Sequence, residues 1–350
     1  MRRLPIYFVL DVSESMVGAP LAALEEGVAR IVASLRKNPH ALETVYISVI
    51  AFAGKAKVIS PLVDLTSFYA PRLPLGGGTA LGTALDVLMD NIDVKITRQT
   101  ATVQGDWEPL IFMITDGKPT DQPSASIQRW LDSYSSRASI IAVTLGNNAD
   151  TALLKRLTPN VLAYEGSTEK DYKRFIDWIT ASVTTRSKEI ETGGSPAGVQ
   201  LAKTGSELTV VGDDKLPLLS DPDFVILTGR CQSSKRPYLV KYIRFEANEA
   251  LRIYITKDHF MLDGCFPLTE EYFSWTAQGK HEQVNTEVLE GVAGCPHCGN
   301  LTTIALCGGC KQLMCVNGPG KAICPWGGSG NNFVANEGDN NNFDLNRGQG

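Results

Sequence analysis

Residues 4–15 read LPIYFVLDVSES, an apolar run that ends in a loop of acidic and hydroxyl side chains. The run Leu4–Leu10 carries no charged residue, which is typical of a strand buried on both faces of a sheet. Asp11, Ser13 and Ser15 follow at alternate positions, and side chains two residues apart in a near-extended segment point the same way. The stretch therefore predicts a first strand whose carboxyl end offers three oxygen ligands to one point.

Strand-like runs alternate with segments of helical period from this strand up to residue 184. Strands are expected at Leu4–Leu10, Thr44–Ala53, Lys57–Leu62, Leu110–Thr115, Ser139–Leu145 and Val161–Tyr164. Helices are expected near residues 21–35 and 81–92 and at Ser124–Ser136, Ala149–Leu157 and Glu169–Thr184. This order favours an α/β domain over residues 1–190 with a doubly wound, mostly parallel, Rossmann-like sheet.

The composition changes after this domain. Residues 191–214 begin with ETGGSP, which is typical of a linker. A small α+β or all-β region is expected over 215–292, from β-like runs at Phe224–Thr228, Tyr238–Tyr242 and Leu251–Ile255. Residues 328–350 are rich in Gly and Asn, and we expect them to be disordered because they have too little apolar surface to offset the entropy of ordering.

Overall composition argues against two classes of protein. The 350 residues are 43% hydrophobic and 20% charged, and no run of about 18 apolar residues marks a transmembrane span. The first apolar run ends at Asp11 without a small-residue cleavage site, so we interpret it as a strand and not as a signal peptide. A net charge of −5 does not favour binding to nucleic acid or to an anionic membrane.

The eight cysteines are unevenly placed, with six between Cys295 and Cys324 and none before Cys231. A secreted disulfide scaffold is a short chain with disulfides distributed evenly along it. The clustered spacing seen here instead indicates thiolates gathered around a metal. We therefore expect a zinc-ribbon-like module over residues 293–327 and a reducing, cytoplasmic location.

Two further loops complete the candidate oxygen site. Asp116 directly follows the expected strand Leu110–Thr115, and Thr79 follows three glycines ahead of a helix. In doubly wound sheets ligands bind at the carboxyl ends of strands where strand order reverses. Carboxylates and hydroxyls without His or Cys suit Mg²⁺ or Mn²⁺. The structural alternative is that the serines only cap a turn.

These motifs resemble a known family pattern. Asp-x-Ser-x-Ser, a Gly-rich loop with Thr, and Thr-Asp-Gly, in that order, are similar to the metal-ion-dependent adhesion site of von Willebrand factor A domains. The resemblance covers about residues 1–190 and implies that the ion is held by Asp11, Ser13, Ser15, Thr79 and Asp116. It also implies an open coordination position that accepts an Asp or Glu carboxylate from a partner protein.

The cysteine region begins with Cys295-Pro-His-Cys298, the shape of a zinc knuckle. Tetrahedral zinc needs four ligands, and further thiols stand at Cys307, Cys310, Cys315 and Cys324. A lone Cys-x-x-Cys would leave redox chemistry open, but the surplus of thiols favours structural zinc.

The whole layout resembles the TerY-type proteins of bacterial tellurium-resistance clusters. The resemblance rests on the stretch from Phe224 to Tyr242 and on Cys295-Pro-His-Cys298-Gly-Asn300. Proteins of this type usually end the module with Cys-Pro-Trp-Cys, whereas Cys324-Pro-Trp is followed here by Gly327. With that ligand lost, the first choice of zinc ligands is Cys295, Cys298, Cys310 and Cys315, with Cys307 and Cys324 as alternates.

The resemblance implies a non-catalytic adaptor associated with a metal-dependent serine/threonine protein phosphatase and a protein kinase, in a module for tellurite and stress resistance. One alternative is a metal-dependent hydrolase or phosphotransfer enzyme, in which Asp11 would be a nucleophile. Ser13 stands where haloacid-dehalogenase-like enzymes have a second acid, so catalysis is not expected. The other alternative is a zinc ribbon that binds nucleic acid, with affinity that falls steeply with salt.

Overall fold

The computed structural model describes residues 2–145, 149–164, 169–191, 208–210, 223–245, 259–277, 282–333 and 342–348. The chain divides into two compact units, Met1–Pro217 and Leu218–Gly350. The expected strand Leu251–Ile255 lies outside the described residues. So does most of the expected linker 191–214, of which only Glu191 and Leu208–Val210 are described.

The first unit alternates strands and helices. Its elements are β1 (Leu4–Asp11), α1 (Ala19–Leu35), α2 (Pro39–Thr44), β2 (Val45–Phe52), β3 (Ala56–Asp64), α3 (Leu81–Lys95), β4 (Leu110–Thr115), α4 (Ser124–Ser133), β5 (Ser139–Leu145), α5 (Thr151–Leu157), β6 (Val161–Tyr164), α6 (Glu169–Glu191) and β7 (Leu208–Val210). The strands form one sheet in the order β3-β2-β1-β4-β5-β6-β7. Only β3 and β7, at the two edges, are antiparallel to their neighbours.

Strand order reverses between β1 and β4, which pair in parallel at the centre of the sheet. From β1 the chain winds outward to β2 and β3, and from β4 it winds the other way to β5 and β6. All residues of β1 and β4 are buried, because helices cover both faces of a doubly wound sheet. The predicted fold class is confirmed, and the loops after β1 and β4 flank the same crevice.

Helix α3 illustrates why the helical period could be read from the sequence. Its buried residues are Leu81, Gly82, Ala84, Leu85, Leu88, Met89 and Ile92, which recur every three or four positions. All of them except Gly82 pack in a core cluster with Ile111 and Met113 of β4 and with Trp130 of α4. The start of α3, which carries the loop with Thr79, is thereby fixed against the strand that ends in the second loop.

Helix α6 covers another part of the same unit. It buries Ile176, Ile179 and Val183 along one face, and a Cβ added at Gly27 of α1 would collide with Ile176, so the two helices approach closely there. Among the described helices, none has the length and apolar character needed to cross a membrane.

The second unit is built from short strands. Its elements are β8 (Phe224–Arg230), β9 (Pro237–Arg244), β10 (Phe260–Pro267), α7 (Glu271–Trp275), β11 (Gln283–Asn285), β12 (Leu289–Glu290), β13 (Thr302–Leu306), β14 (Leu313–Val316), β15 (Gly320–Ile323), β16 (Gly330–Phe333) and β17 (Asp344–Asn346). Six of them form a sheet in the order β12-β10-β9-β8-β14-β13. Two small antiparallel pairs, β11 with β17 and β15 with β16, stand beside it.

This sheet crosses the boundary expected at residues 292/293. Strand β14 pairs in parallel with β8, with Leu313 opposite Gly229 and Met314 opposite Arg230. Val225 and Cys295 belong to the same core cluster. The expected β region and zinc module therefore form one folding unit, because they share one sheet and one core.

The expected disorder of residues 328–350 also needs correction. Within the described part of this tail, β16 pairs with β15, and β17 pairs with β11. Leu345 is 2% exposed, and the Arg347 side chain donates to the Phe224 carbonyl at 2.6 Å. Among the described residues of the tail Leu345 is thus buried and Phe333 and Phe343 are partly buried, and the strand hydrogen bonds satisfy a backbone that composition alone gave no reason to order.

Candidate metal centres

The candidate oxygen site lies at the carboxyl edge of the first unit's sheet. Asp11 ends β1, Asp116 follows β4, and Thr79 lies just ahead of α3. Its five expected side chains come from these three loops, and all of them are less than 8% exposed. The register of β1 and β4, in which Leu10 is opposite Ile114, brings the two acidic loops to the same level.

A chain of hydrogen bonds joins four of these residues. The Ser13 backbone N–H donates to Asp11 Oδ1 at 2.9 Å, and the Ser13 and Ser15 hydroxyl oxygens are 2.9 Å apart. The Ser15 hydroxyl donates to Asp116 Oδ1 at 2.8 Å. The segment does not stay extended as the alternation predicted, because Glu14–Met16 form a 3-10 helix; this turn places the Ser15 hydroxyl beside that of Ser13 and toward the loop that follows β4.

Thr79 joins the group from the third loop. Its hydroxyl oxygen is buried and lacks a hydrogen-bond partner among the described residues. A Cβ at Gly117 would lie 3.3 Å from this oxygen and 4.0 Å from Ser15 Oγ, so both hydroxyls border the space left by the glycine. A buried hydroxyl without a partner is costly, and a cation coordinated by Thr79 would remove that cost.

Thr115 is a residue of this site that the sequence interpretation did not single out. Its hydroxyl donates to Asp11 Oδ2, the carboxylate oxygen that Ser13 does not bind. Burial raises the pKa of Asp11 to about 6, although these hydrogen bonds oppose the shift. The signal in the sequence was present, since a threonine that ends a central strand beside an acidic loop can orient a neighbouring carboxylate.

The oxygen set fits a hard divalent cation. Two carboxylates balance the charge of one divalent ion, while the three hydroxyls of Ser13, Ser15 and Thr79 are neutral. Neutral hydroxyl ligands leave such an ion with Lewis acidity, so it can accept a further anionic ligand.

Seven of the eight cysteines gather in two groups in the second unit. In each group the sulfur atoms lie within 4.8 Å of one another. The first group consists of Cys231, Cys295, Cys298 and Cys315, and the second of Cys307, Cys310 and Cys324. Cys265 belongs to neither group, and burial raises its pKa to about 12.

The first choice of zinc ligands therefore needs correction at one position. Cys295, Cys298 and Cys315 do come together, but the fourth sulfur is that of Cys231. Cys310 lies instead with Cys307 and Cys324, the two residues expected as alternates. Nearness in sequence was a poor guide, because Cys231 reaches the group through the pairing of β8 with β14, which carries Cys315.

A repeated backbone turn explains the grouping. In what we call the knuckle turn, a cysteine N–H donates to the carbonyl five residues later, and the cysteine carbonyl accepts from the N–H four residues later. The residue at that fourth position has positive φ. The described chain has knuckle turns that begin at Cys231, Cys295, Cys307 and Cys324.

The sequence does not reveal the knuckle turn at Cys231, because the glycine and the second cysteine of the turn at Cys295 are both absent there. The turn residue with positive φ is Gly299 after Cys295, where glycine has no steric penalty, but Lys235 after Cys231. The position three residues after the first cysteine holds Cys298 in one case and Ser234 in the other. A search for Cys-x-x-Cys therefore passes over Cys231.

The four-sulfur group has the dimensions of tetrahedral zinc. Zn–S bonds of roughly 2.3 Å imply sulfur separations of roughly 3.8 Å, and Cys298 Sγ is 3.6 Å from Cys315 Sγ. Backbone N–H groups of Gln232 and Ser234 donate to the sulfurs of Cys315 and Cys231. Burial acts to raise the pKa of Cys231, but hydrogen bonds led by that from Ser234 lower it to about 6, which favours the thiolate that binds metal.

Comparison with protein families agrees with both units. The model of the von Willebrand factor type A domain matches residues 6–177, and that of the TerY-C metal binding domain matches residues 221–350. The chain therefore joins a von Willebrand factor type A domain to a C-terminal TerY-C metal binding domain, which matches the TerY-type arrangement.

Several solved structures match between half and about three quarters of the chain. A von Willebrand factor type A protein from Catenulispora acidiphila is 17% identical with a TM-score of 0.42, and the match covers 52% of this chain and 42% of that one. Proximal thread matrix protein 1 from the mussel byssus, solved with a zinc-occupied adhesion-site motif, is 16% identical with a TM-score of 0.35, covering 51% and 46%. The ArnB paralog VWA2 from Sulfolobus acidocaldarius is 10% identical with a TM-score of 0.38, covering 77% and 66%. The chain spans less than half the length of the first two of these proteins.

Proposed function

We propose that this protein is a non-catalytic, cytoplasmic adaptor that captures a partner protein through a Mg²⁺ or Mn²⁺ ion held by Asp11, Ser13, Ser15, Thr79 and Asp116. The observation that carries the proposal is the buried Thr79 hydroxyl, which has no hydrogen-bond partner in the described part of the chain and lies beside two carboxylates and two serines. A divalent ion satisfies that oxygen and retains affinity for one more anionic ligand. The partner supplies that ligand as an Asp or Glu carboxylate.

The second unit acts as a zinc-stabilised surface for a second partner. The four thiolates of Cys231, Cys295, Cys298 and Cys315 form a closed set around one ion, as in structural zinc sites. By resemblance to other TerY-type proteins, the partners are a metal-dependent serine/threonine protein phosphatase and a protein kinase in a tellurite and stress response. Two binding devices on one chain suit an adaptor that holds two enzymes together.

The test measures binding of the purified phosphatase to the immobilised full chain in Mg²⁺. We expect the double variant Ser13→Ala/Ser15→Ala to lose binding as severely as removal of Mg²⁺ does. Omission of Mg²⁺ alone is ambiguous because the phosphatase has metal ions of its own, and a strong chelator would also remove zinc. The serine variant avoids both problems, since it changes only the adaptor.

The matched control is Ser48→Ala/Ser126→Ala. These two serines are buried in the same unit, but their hydroxyls bond to the Ser60 carbonyl and to Asp86. Glu14 is a poor control because it is only 1% exposed. If the serines merely cap a turn, the Ser13→Ala/Ser15→Ala variant loses ~1 kcal/mol of stability while partner binding persists, and the proposal fails.

The enzyme alternative makes a separate forecast. A hydrolase or phosphotransfer enzyme would show turnover of a phosphate ester that disappears in Asp11→Asn, whereas the adaptor shows none with wild type or variant. A turnover that both Asp11→Asn and Asp116→Asn abolish would replace the adaptor proposal.

A further inference from the structure

The three-sulfur group of Cys307, Cys310 and Cys324 differs from the four-sulfur group in one respect. Each group joins a knuckle turn that has two cysteines to one that has a single cysteine. In the turn that begins at Cys231, Ser234 stands where a two-cysteine turn has its second cysteine. In the turn that begins at Cys324, Gly327 stands at that position. Both groups therefore need a fourth ligand from outside their two turns.

Only the four-sulfur group receives one. Cys315 of β14 completes it, with its sulfur 3.6 Å from that of Cys298. Around Cys307, Cys310 and Cys324, no fourth His, Cys, Asp or Glu of the described residues comes within range. The sulfurs of Cys310 and Cys324 are nevertheless 3.6 Å apart, close to the separation of roughly 3.8 Å that tetrahedral zinc requires.

The position that lacks a ligand is also open. A Cβ built at Gly327 meets no atom within 4 Å, and the same is true at Gly328. Cys310 is an exposed residue, although Cys307 and Cys324 are buried. Within the part of the chain that the structure describes, the fourth corner of this group is thus accessible to a molecule from solution.

Two polar side chains lie near the group but are directed at one sulfur. Ser329 Oγ is 3.6 Å from Cys307 Sγ, and Asn331 Nδ2 donates to the same sulfur at 3.4 Å. Asn331 Oδ1 already accepts from the Gly308 N–H at 2.9 Å. A fourth tetrahedral ligand must neighbour all three sulfurs, whereas these groups stabilise the Cys307 thiolate alone.

We propose that Cys307, Cys310 and Cys324 bind a second Zn²⁺ through three thiolates and leave its fourth position, beside Gly327, to an exchangeable ligand from solution. Three thiolates and one Zn²⁺ carry a net charge of −1, so a neutral donor adds no further repulsion. The ligand is water at rest, and a neutral monodentate nitrogen donor such as imidazole replaces it. In contrast to the four-sulfur group, this site is built to exchange a ligand.

The experiment uses the full chain loaded with Co²⁺, whose visible absorption reports the number and type of ligands. We expect two metal ions per chain in wild type and one in Cys307→Ser, which provides the background spectrum of the four-sulfur group. Titration with imidazole is expected to shift the wild-type difference spectrum. Gly327→Cys is expected to give a four-thiolate spectrum that no longer responds to imidazole.

Gly327→Ala is the matched control, because it adds the same Cβ without a ligand and should respond to imidazole as wild type does. A single metal ion per chain in wild type would refute the second site. A second ion whose spectrum ignores imidazole, and which is lost in Ser329→Ala or Asn331→Ala, would show that an internal oxygen closes the site. If Gly327→Cys does not fold, the wild-type titration still decides between these results.

Discussion

The oxygen site of the first unit and the cysteine groups of the second unit show two ways to prepare a metal centre. The oxygen ligands largely satisfy each other without an ion, since Ser13 contacts Ser15 and Ser15 donates to Asp116. The cysteines gather sulfurs within 4.8 Å, where thiolates repel one another unless a cation lies between them. The first unit also has a large core, whereas cysteines are part of the core of the second. We infer that the first unit folds before it binds metal and that the second needs metal in order to fold.

The largest effect is expected from Cys231→Ser. Loss of one of four thiolates should release zinc and unfold the second unit, because structural zinc supplies folding free energy that a small unit cannot easily replace. The first unit should stay folded. Elemental analysis with hydrogen exchange resolved along the chain measures both effects.

The control for this variant is Cys265→Ser. Cys265 lies in the same unit outside both groups, so its substitution should leave the zinc content unchanged. A Cys231→Ser protein that retains the zinc content and the hydrogen-exchange protection of wild type would contradict the inference that the second unit needs metal in order to fold.

The next largest effect is expected from Asp116→Ala. Removal of this carboxylate should abolish Mg²⁺ binding in calorimetric titration and leave the first unit folded, because the core strand β4 is unaffected. The matched control is Asp150→Ala, an equally buried aspartate whose carboxylate caps α5 through the Leu153 N–H. Unchanged Mg²⁺ affinity in Asp116→Ala would remove this residue from the site.

A smaller effect is expected from pH. The pKa of Asp11 is raised from 3.8 to about 6 by burial, so the metal-free folded state holds this proton more tightly than the unfolded chain does. Its contribution to stability is complete below 3.8 and is lost as pH rises through about 6. Mg²⁺ competes with the same proton, so its affinity should fall as pH drops below about 6.

Thermal unfolding of the first unit in Mg²⁺-free buffer, followed between about pH 5 and pH 7, checks the sign of this linkage. Asp11→Asn removes the titrating group and should flatten the dependence. If Asp11 instead makes the stability of the metal-free protein rise with pH over this range, the raised pKa of Asp11 is contradicted.

The smallest effect is expected from Thr115→Val. The variant keeps the shape of the side chain but removes the hydroxyl that donates to Asp11 Oδ2. Loss of such an orienting partner typically weakens metal affinity by about tenfold. Calorimetric titration measures this change, and Thr115→Ser should restore the affinity; if it does not, Thr115 acts through packing and not through its hydroxyl.

Local sequence was sufficient to predict the features that depend on neighbours along the chain. The local motif located Asp11, Ser13 and Ser15 in the loop directly after β1, although Ser15 is oriented by a 3-10 helix and not by extended alternation, and the helical period marked the buried face of α3. The chain order of strands and helices was sufficient for the doubly wound sheet, because short right-handed connections leave few other topologies. The two acidic loops could be paired for the same reason, since both follow strands at the point of reversal.

The tertiary structure decided how the cysteines are divided. Cys310 stands closer in sequence to Cys315 than to Cys324, yet it shares a group with Cys324. Cys315 shares its group with the distant Cys231, which the parallel pairing of β8 and β14 brings into place. Metal-ligand geometry fixes the distance between sulfurs and not the length of chain between them. Which knuckle turns meet therefore depends on strand pairing between distant segments, and no local spacing in the sequence encodes it.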